Sequence, residues 1–521
     1  MATGIVTTRF RIHNAEQFYE SLSEASPSRL FMFVGRPFAW ANDSAAPSIT
    51  DTVQNVAFNP YRDTYSYKRV QTSDASYVSI RNNWANNTLY TEYRDDNSTL
   101  ANSAFFVATD SSNVYKCIDN NRSANSTVKP TGTGTSIITC ADGYRWKYMF
   151  TISGGDMLKF ATTNFLPVKV LTANDDSAQW SVQQAASNGA IHHVRVTANG
   201  SGYLFNTNTF QTVTNSTSVR LGNNASTVDG KYVGSTVFIN AGLGIGQLRL
   251  ITAYVGSTRR ATMNNAFTTT PNTSSRYVVT PRVIIRGDSG VTTSLRATAY
   301  VSNVASGQIR KVTMISEGNG YSTANAVVTD STGSGATIVP VISPFGGHGK
   351  DAVDELYGFN IMLNTQFIGA EANSLPTNND FRVVGLIRDP LLRGGLSANV
   401  SIIDGSTRLT VEALDGDLTA DERLSGGTSL ATGKFLYFAN TNTARTKGIV
   451  RVVRVVTGGT GKQFAVGELI TGATSGKTAT ITAVDRPAIR ENTGDVIYIE
   501  NREPISRSSS QTEDFKLVVK F

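Results

Sequence analysis

The residues that invite a chemical reading are few and scattered. Gly472-Ala-Thr-Ser-Gly-Lys-Thr478 ends like a phosphate-binding loop. Such a loop needs four residues between its first glycine and Gly-Lys-Thr, and here there are three. Ala479-Thr-Ile-Thr482 then alternates as a strand, whereas a phosphate loop opens a helix. The segment is read as a hairpin turn. The four histidines are His13, His192, His193 and His348. His192 and His193 are adjacent, so in a strand they point to opposite faces and cannot share a metal. No Cys-x-x-Cys or His-x-x-x-His spacing exists for zinc. His348, in Gly346-Gly-His-Gly349, is read as part of a backbone-fixing loop, because sequence places no nucleophile or carboxylate beside it.

Three acidic groups raise the question of glycoside hydrolysis: Asp95-Asp96, Asp175-Asp176, and Asp351 with Asp354 and Glu355. Retaining hydrolysis needs two carboxyls ~5 Å apart, which spacing alone does not supply. Asp351 reads better as a helix cap and the others as loop residues. Asp415-Gly-Asp417 with Asp421 and Glu422 lacks the spacing of a calcium loop. The sequons at Asn97 and Asn125 are what an Asn/Ser/Thr-rich chain yields by chance. The expectation is therefore no enzyme, no cofactor and no metal.

Behind these residues stands a chain of 521 amino acids, long enough for about three to five domains. Apolar residues make up 40 % and charged residues only 17 %, a composition that folds rather than staying disordered. Net charge is +7, from 47 basic and 40 acidic residues, and the basic ones are scattered, with doublets such as Arg259-Arg260. A nucleic-acid partner is not expected from so diffuse a charge. No run approaches the ~18 apolar residues of a membrane span, so no membrane is expected either. MATGIVTTRFRIHN lacks the apolar stretch of a signal peptide. Cys117 and Cys140 do not make a disulfide framework, and two buried thiols are expected.

The local pattern predicts a mainly β protein. Leu30–Val34 is apolar on both faces and should be covered on both sides. Tyr144, Trp146, Tyr148, Phe150 and Ile152 share one face of a strand, with Arg145, Lys147 and Thr151 on the other. This predicts a half-buried strand whose aromatic face is core rather than a carbohydrate platform. Asp495–Glu500 is again apolar on both faces, and Phe515, Leu517, Val519 and Phe521 alternate with Lys516 and Lys520. Strands of both kinds imply more than two stacked sheet layers. Helices should be few. Asn14-Ala-Glu-Gln17 reads as a capping box for a helix carrying Ala15, Phe18, Tyr19 and Leu22, with Pro27 at its exit. Asp351 caps a second helix that runs to Leu356 and is ended by Gly358.

Internal repeats stand out in the Gly/Thr/Val-rich stretches. IHHVRVTANGSGY (Ile191–Tyr203) resembles IRKVTMISEGNGY (Ile309–Tyr321) and, more loosely, IVRVVRVVTGGTGKQF (Ile449–Phe464). Second halves match as well: RVIIRGDSGVTTSLRATAYVS (Arg282–Ser302), VVTDSTGSGATIVPVIS (Val327–Ser343) and LITGATSGKTATITAV (Leu469–Val484). Each is a strand, a glycine-rich turn and a strand. They are read as small β modules of one kind, inserted into a host domain.

The two ends of the chain resemble the dimeric β-sandwich wedge subunit of T-even-type phage baseplates. The matching stretches are IVTTRFR and FYES within Ile5–Ser21, FMFVGRPFAW (Phe31–Trp40), VYKCID (Val114–Asp119) and DGYRWKYMFTI (Asp142–Ile152). DVIYIENREPISRSSSQTEDFKLVVKF (Asp495–Phe521) follows at the end, and FRVVGLIRDP (Phe381–Pro390) is a weaker match. GGHGKDAVDEL (Gly346–Leu356) looks like a sequence common in such baseplate proteins. The positions that carry the pattern are Phe10, Phe18, Tyr19, Trp40, Cys117, Asp142, Gly143, Tyr144, Trp146, Tyr148, Phe150, Tyr498, Glu500, Asn501, Arg502, Pro504, Gln511, Thr512 and Glu513.

The resemblance implies a layered antiparallel β-sandwich core with a few short helices, plus inserted small β modules. The core is expected from residues 1–175, 346–412 and 491–521, with modules at 176–345 (a nested β unit at 204–281) and 413–490. It further implies a homodimer that bridges other wedge subunits, works without catalysis, and is assembled in the host cytoplasm into the virion's tail baseplate. The alternative is a host-recognition or fibre-type carbohydrate-binding tail protein. That would be a trimer with its sugar site in the modules.

Overall fold

The computed structural model describes residues 4–24, 26–288, 296–371, 376–456 and 463–521. Strands take 43 % of the chain and helices 10 %, so the protein is mainly β, with many antiparallel sheets and a few short helices. The chain divides into two compact units: Met1–Ser79 with Asp156–Pro167 and Phe359–Phe521, and Ile80–Gly155 with Val168–Gly358. The expected core segment 1–175 is thus shared between the two.

The first unit contains two antiparallel sheets. One has the order Ile402–Asp404, Thr64–Arg69, Leu30–Gly35, Asn379–Arg388 and Asp495–Arg507. The other runs Thr512–Lys520, Asn360–Ile368, Ala75–Ile80 and Phe165–Val168. All six residues of Leu30–Gly35 are buried. Leu30, Met32 and Val34 pack with Ile361, Leu363, Phe367 and Phe515 of the other sheet. Phe31 and Phe33 point the opposite way, onto Tyr61, Tyr67, Ile387, Ala398 and Ile489. Alternation of side chains across a strand makes one apolar segment serve two cores. The outer layer here is not a further sheet: Tyr61, Ala398 and Ile489 lie outside the strands. Phe515, Leu517, Val519 and Phe521 face the inner core as their alternation predicts.

Two sequence expectations are corrected in this unit. The first helix spans Thr8–Glu20, and its cap is Thr7, whose side chain accepts from the Phe10 N–H. Asn14–Gln17 is therefore helix interior rather than a capping box; Thr7 already supplies the extended backbone and the acceptor that a cap requires. Ala15 and Leu22 still enter the core, with Phe18 and Tyr19 against it. The second correction concerns Asp495–Arg507, which is half-exposed, with Ile497 42 % accessible. It is the last strand of its sheet, and among the described residues only Asn379–Arg388 pairs with it as a strand, so its outer edge has no strand partner.

A closed six-stranded barrel follows, made of Thr407–Glu412, Gly448–Val456, Thr432–Asn440, Arg423–Gly426, Leu469–Gly472 and Thr478–Asp485. Its first strand lies upstream of the expected module boundary at 413. Leu409, Leu424, Val450, Val452, Ile470 and Ile481 fill it. Gly472–Thr478 is a turn between two strands, as the strand alternation after it predicts. The glycine-rich turn after Ile449–Val456 falls at 457–462, outside the described residues.

The barrel rests on a duplicated pattern, Glu-x-apolar-x-Gly-x-Thr-Ser, at Glu422–Ser429 and again at Glu468–Ser475. Each glutamate holds the turn of the other copy. Glu422 accepts from the N–H groups of Thr474 (2.9 Å) and Ser475 (3.0 Å) and from the Ser475 hydroxyl (2.8 Å). Glu468 accepts from the N–H groups of Thr428 (3.1 Å) and Ser429 (2.8 Å) and from the Ser429 hydroxyl (2.9 Å). The strands between them pair Leu424 with Gly472, Ser425 with Thr471 and Gly426 with Ile470, a register unchanged when the two copies are exchanged. A Cβ on Gly426 would strike Ser429 and Glu468, and one on Gly472 would strike Ser475 and Glu422. The barrel is also joined to the sandwich: Leu436 and Val453 share its core, and Arg454 binds Asp63 at 2.7 and 2.8 Å.

The second unit holds the aromatic strand in a sheet ordered Phe106–Ala108, Asn113–Asp119, Arg145–Thr151 and Ile138–Thr139. A second sheet runs Arg282–Gly287, Ala324–Thr329, Ser334–Ile342 and Ile191–Ser201, beside the hairpin Thr298–Ala305/Gln308–Ser316. The two Gly-x-Gly-Tyr repeats end alike. The Tyr203 hydroxyl accepts from the Ala336 N–H (3.1 Å) and the Tyr321 hydroxyl from the Ala297 N–H (2.8 Å). The turn expected after Gly287 runs into 289–295, outside the described residues. Residues 206–280 form a separate seven-stranded sheet with its own core around Val219, Val237, Ile239, Tyr254 and Tyr277.

Burial pushes the Glu422 and Glu468 carboxyls up, but the converging donors offset it and hold both below the usual value. Their contribution is then full above roughly pH 4.3 and fades as pH falls through the lowered folded values. Glu468→Gln should destabilise the protein by about 1–3 kcal/mol at pH 7. Thermal scans should show the gap between the variant and the parent narrowing below pH 4.

Candidate functional site

The aromatic strand is core, as expected. Tyr144, Trp146 and Tyr148 are buried with Tyr90, Val107, Tyr115 and Cys117, and Phe150 is buried nearby. Tyr144 and Trp146 stack with ring centroids 5.5 Å apart. Asp142 and Gly143 form the turn before the strand. Gly143 adopts a φ of 86°, and Asp142 accepts from the N–H groups of Thr127 (2.8 Å), Val128 (2.9 Å) and Tyr144 (3.1 Å). Cys117 is buried and Cys140 half-buried, both as free thiols.

The expectation of a half-buried strand is corrected on its other face, where Lys147 is also buried. Beside it on the neighbouring strand, Lys116 has no exposed surface. A buried ammonium requires an anion. Glu355 supplies it, with Nζ 2.8 Å from Oε2 and both side chains inaccessible. The other carboxylate oxygen accepts from the N–H groups of Gly349 (2.7 Å) and Asp351 (3.3 Å). Lys116 Nζ also lies 4.0 Å from the centroid of Tyr93, on which His348 packs edge-on. Burial lowers the Lys116 pKa against the pull of Glu355. Burial and the positive charge of Lys116 hold His348 well below its ordinary range.

The sequence placed no carboxylate beside His348; the fold places Glu355 there, 3.8 Å from Nδ1. The segment Gly346–Leu356 acts as a plug over the polar face of this sheet. Asp351 caps its helix, accepting from the Asp354 N–H at 2.9 Å, as expected. Tyr357, not Gly358, takes the left-handed backbone at the exit, with φ 56°. The Gly358 N–H closes the end on the Val353 carbonyl (2.8 Å). No periodicity announces the Lys116–Glu355 pair, because one partner sits in a strand and the other in a four-residue helix.

The remaining acidic candidates have structural work. Asp415 accepts from the Thr478 N–H (2.7 Å), Glu422 holds the barrel turn, and Asp175 accepts from the Ser177 N–H (3.1 Å). None of these joins a second carboxylate in a cleft. The structure separates Asp95 and Asp96: Asp96 pairs with Arg94 (2.8 Å), while Asp95 accepts from the Ile342 N–H (3.4 Å).

Of the positions carried by the resemblance at the C-terminus, Tyr498, Glu500, Asn501, Arg502 and Pro504 lie on the open edge strand, and Gln511, Thr512 and Glu513 at the turn into the edge strand of the other sheet. Tyr498 donates to Glu500 (2.6 Å), and Arg502 lies 3.6 Å from the same carboxylate. Trp40 Nε1 donates to the Arg502 carbonyl (2.9 Å), and Asn501 to the Pro47 carbonyl (2.9 Å). Pro504, Gln511 and Thr512 are exposed, and Phe10 is 54 % exposed. The turn from this strand to Thr512–Lys520, the edge strand of the other sheet, is tied by a buried pair, Arg507 Nε to Glu513 Oε2 at 2.8 Å. Arg507 also donates to the carbonyls of Gly369 (2.6 Å) and Pro376 (2.8 Å). Beside the edge lies a cavity of about 220 Å³ lined by Arg36, Trp40, Asn59, Ile499 and Asn501. There the Arg36 guanidinium lies 3.6 Å from the Trp40 ring centroid. This edge and cavity form the candidate functional surface: a binding face rather than a reaction centre.

No family model and no curated protein matches the chain. Among the described residues, no helix is long and apolar enough to cross a membrane.

Removing one half of the buried pair leaves the other half stranded. Glu355→Gln should destabilise the protein by about 3–5 kcal/mol, and the double variant Lys116→Met/Glu355→Gln by clearly less, as read by calorimetric unfolding. Trp146→Ala should cost about 3–5 kcal/mol in the same assay; an unchanged melting temperature would place Trp146 outside the core.

Proposed function

We propose that the protein is a structural subunit of the baseplate wedge of a contractile phage tail, working as a homodimer that bridges neighbouring wedge proteins. The observation that carries this reading is the long open edge Asp495–Arg507. It bears five of the residues through which the sequence resembles the family, Tyr498, Glu500, Asn501, Arg502 and Pro504, on a sheet of an antiparallel sandwich like the one the resemblance implies.

An edge strand carries unpaired N–H and C=O groups, and an uncovered one is a template for another chain. Two copies of an antiparallel edge can pair about a twofold axis, which gives an isologous contact. Ile497, 42 % exposed on this strand, supplies apolar surface, and the ion pair Arg388–Asp495 (2.8 Å) sits at its start. A protein of this kind acts through extended contacts rather than through a reaction centre. The modules enlarge its surface for further partners.

The test is the solution mass of the full chain by light scattering at low and moderate salt. A salt-resistant dimer that dissociates on Ile497→Asp supports the reading. A trimer turns the assignment toward the fibre-type alternative. A dimer untouched by Ile497→Asp moves the twofold contact away from this edge.

A further inference from the structure

In the second unit, three buried ionisable side chains converge from different elements on the floor of a cleft. Asp119 ends the strand Asn113–Asp119, His193 lies in Ile191–Ser201, and Glu92 comes from the loop between strands. Their side chains are 7 %, 11 % and 11 % exposed. One ligand atom from each lies within 4.8 Å of the others.

Each carboxylate is held by one oxygen and free to aim the other. Glu92 Oε1 accepts from Arg195 Nε (2.5 Å), leaving Oε2, which has only a long contact to the Asn120 N–H (3.5 Å). Asp119 Oδ1 accepts from the Asn121 N–H (2.8 Å), leaving Oδ2. Both free oxygens face His193, at 3.7 Å from Nε2 and 3.5 Å from Nδ1. These are ion-pair distances, longer than a well-formed hydrogen bond. His193 thus lies at ion-pair distance from both carboxylates, one facing each ring nitrogen, with its strongest contacts to these two acids. The cleft in front, about 470 Å³ and lined in part by Asn303, Arg310 and Lys311, gives entry and room for water.

We propose that Glu92, Asp119 and His193 bind a first-row divalent cation, with Zn²⁺ the best fit. One imidazole and two carboxylates with an open fourth position match zinc's ligand types and count. Ligand atoms ~2.0–2.2 Å from a tetrahedral ion lie ~3.3–3.6 Å apart, whereas these spread over as much as 4.8 Å, so binding must draw the widest pair together by about 1 Å. Mg²⁺ and Ca²⁺, which prefer six or more oxygens, fit poorly. Arg195 and the Asn121 N–H act as outer partners that orient the ligands. Arg195, and Arg145 near Asp119, also partly neutralise the carboxylates, which makes the ion exchangeable rather than permanently held. Sequence gave no zinc spacing because the ligands come from three separate segments.

The test uses full-length protein freed of metal by a chelator. Zn²⁺ should raise the melting temperature by several degrees and titrate calorimetrically to one site, whereas Mg²⁺ should do neither. His193→Gln and Glu92→Gln should each lose the heat and the shift. Co²⁺ on the unmodified protein should give visible bands of nitrogen and oxygen ligation without thiolate charge transfer, which keeps the test decisive if either variant fails to fold. No Zn²⁺ effect, an equal effect in both variants, or a thiolate band would each overturn the proposal.

Discussion

A lysine ammonium with no exposed surface can stay charged only beside an anion, and this constraint organises the second unit. Lys116 lies in the middle of the aromatic sheet, and its partner Glu355 arrives 239 residues later. The strand cannot keep its polar face closed until the Gly346–Leu356 plug has been delivered, and that plug follows the whole inserted region. One charge pair therefore couples the earliest strands of the unit to its last helix. The pair sets which segment must cover the sheet more firmly than it adds net stability, because desolvation cancels much of the attraction.

The same economy recurs wherever the chain spends an acidic residue. Only 17 % of the residues are charged, and many carboxylates are turned inward onto backbone N–H groups. Asp142 clamps the Thr127–Val128 backbone, Glu422 and Glu468 lock the barrel turns, and Asp415 fastens Thr478. In a protein rich in glycine, serine and threonine, turns have little side-chain bulk to hold them. A carboxylate that gathers two or three donors replaces that bulk with directional contacts.

Sequence patterns exposed the strands that obey a simple period. Leu30–Val34, Tyr144–Phe150 and Phe515–Phe521 declare their burial through alternation, and the Asp351 cap is local. The errors arise where burial depends on neighbours. Asp495–Glu500 has the composition of a covered strand, yet its place at the sheet edge decides its exposure. Lys147 has the look of a solvent-facing residue, yet a distant plug covers it. Asn14 and Gln17 imitate the cap signature within the helix, whereas the cap itself is Thr7. The candidate surface was legible in part, since the Tyr498–Arg502 motif marks the edge. The acidic pairs considered for catalysis resolve into turn and helix contacts that no linear spacing displays.

The exchange of carboxylates between the two barrel hairpins has a consequence for the order of events during synthesis. Glu422 emerges long before Thr474 and Ser475, so the first hairpin leaves the ribosome with its own turn unlocked and its glutamate unused. Only when the second copy is complete can both turns be fastened. A form built from the first hairpin alone would leave Glu422 without the Thr474 and Ser475 donors that hold it in the barrel. The barrel's closure waits on contacts far apart in the chain, which ties it to the slow, non-local kind of folding. A duplication that looks redundant on paper makes each copy the template on which the other sets.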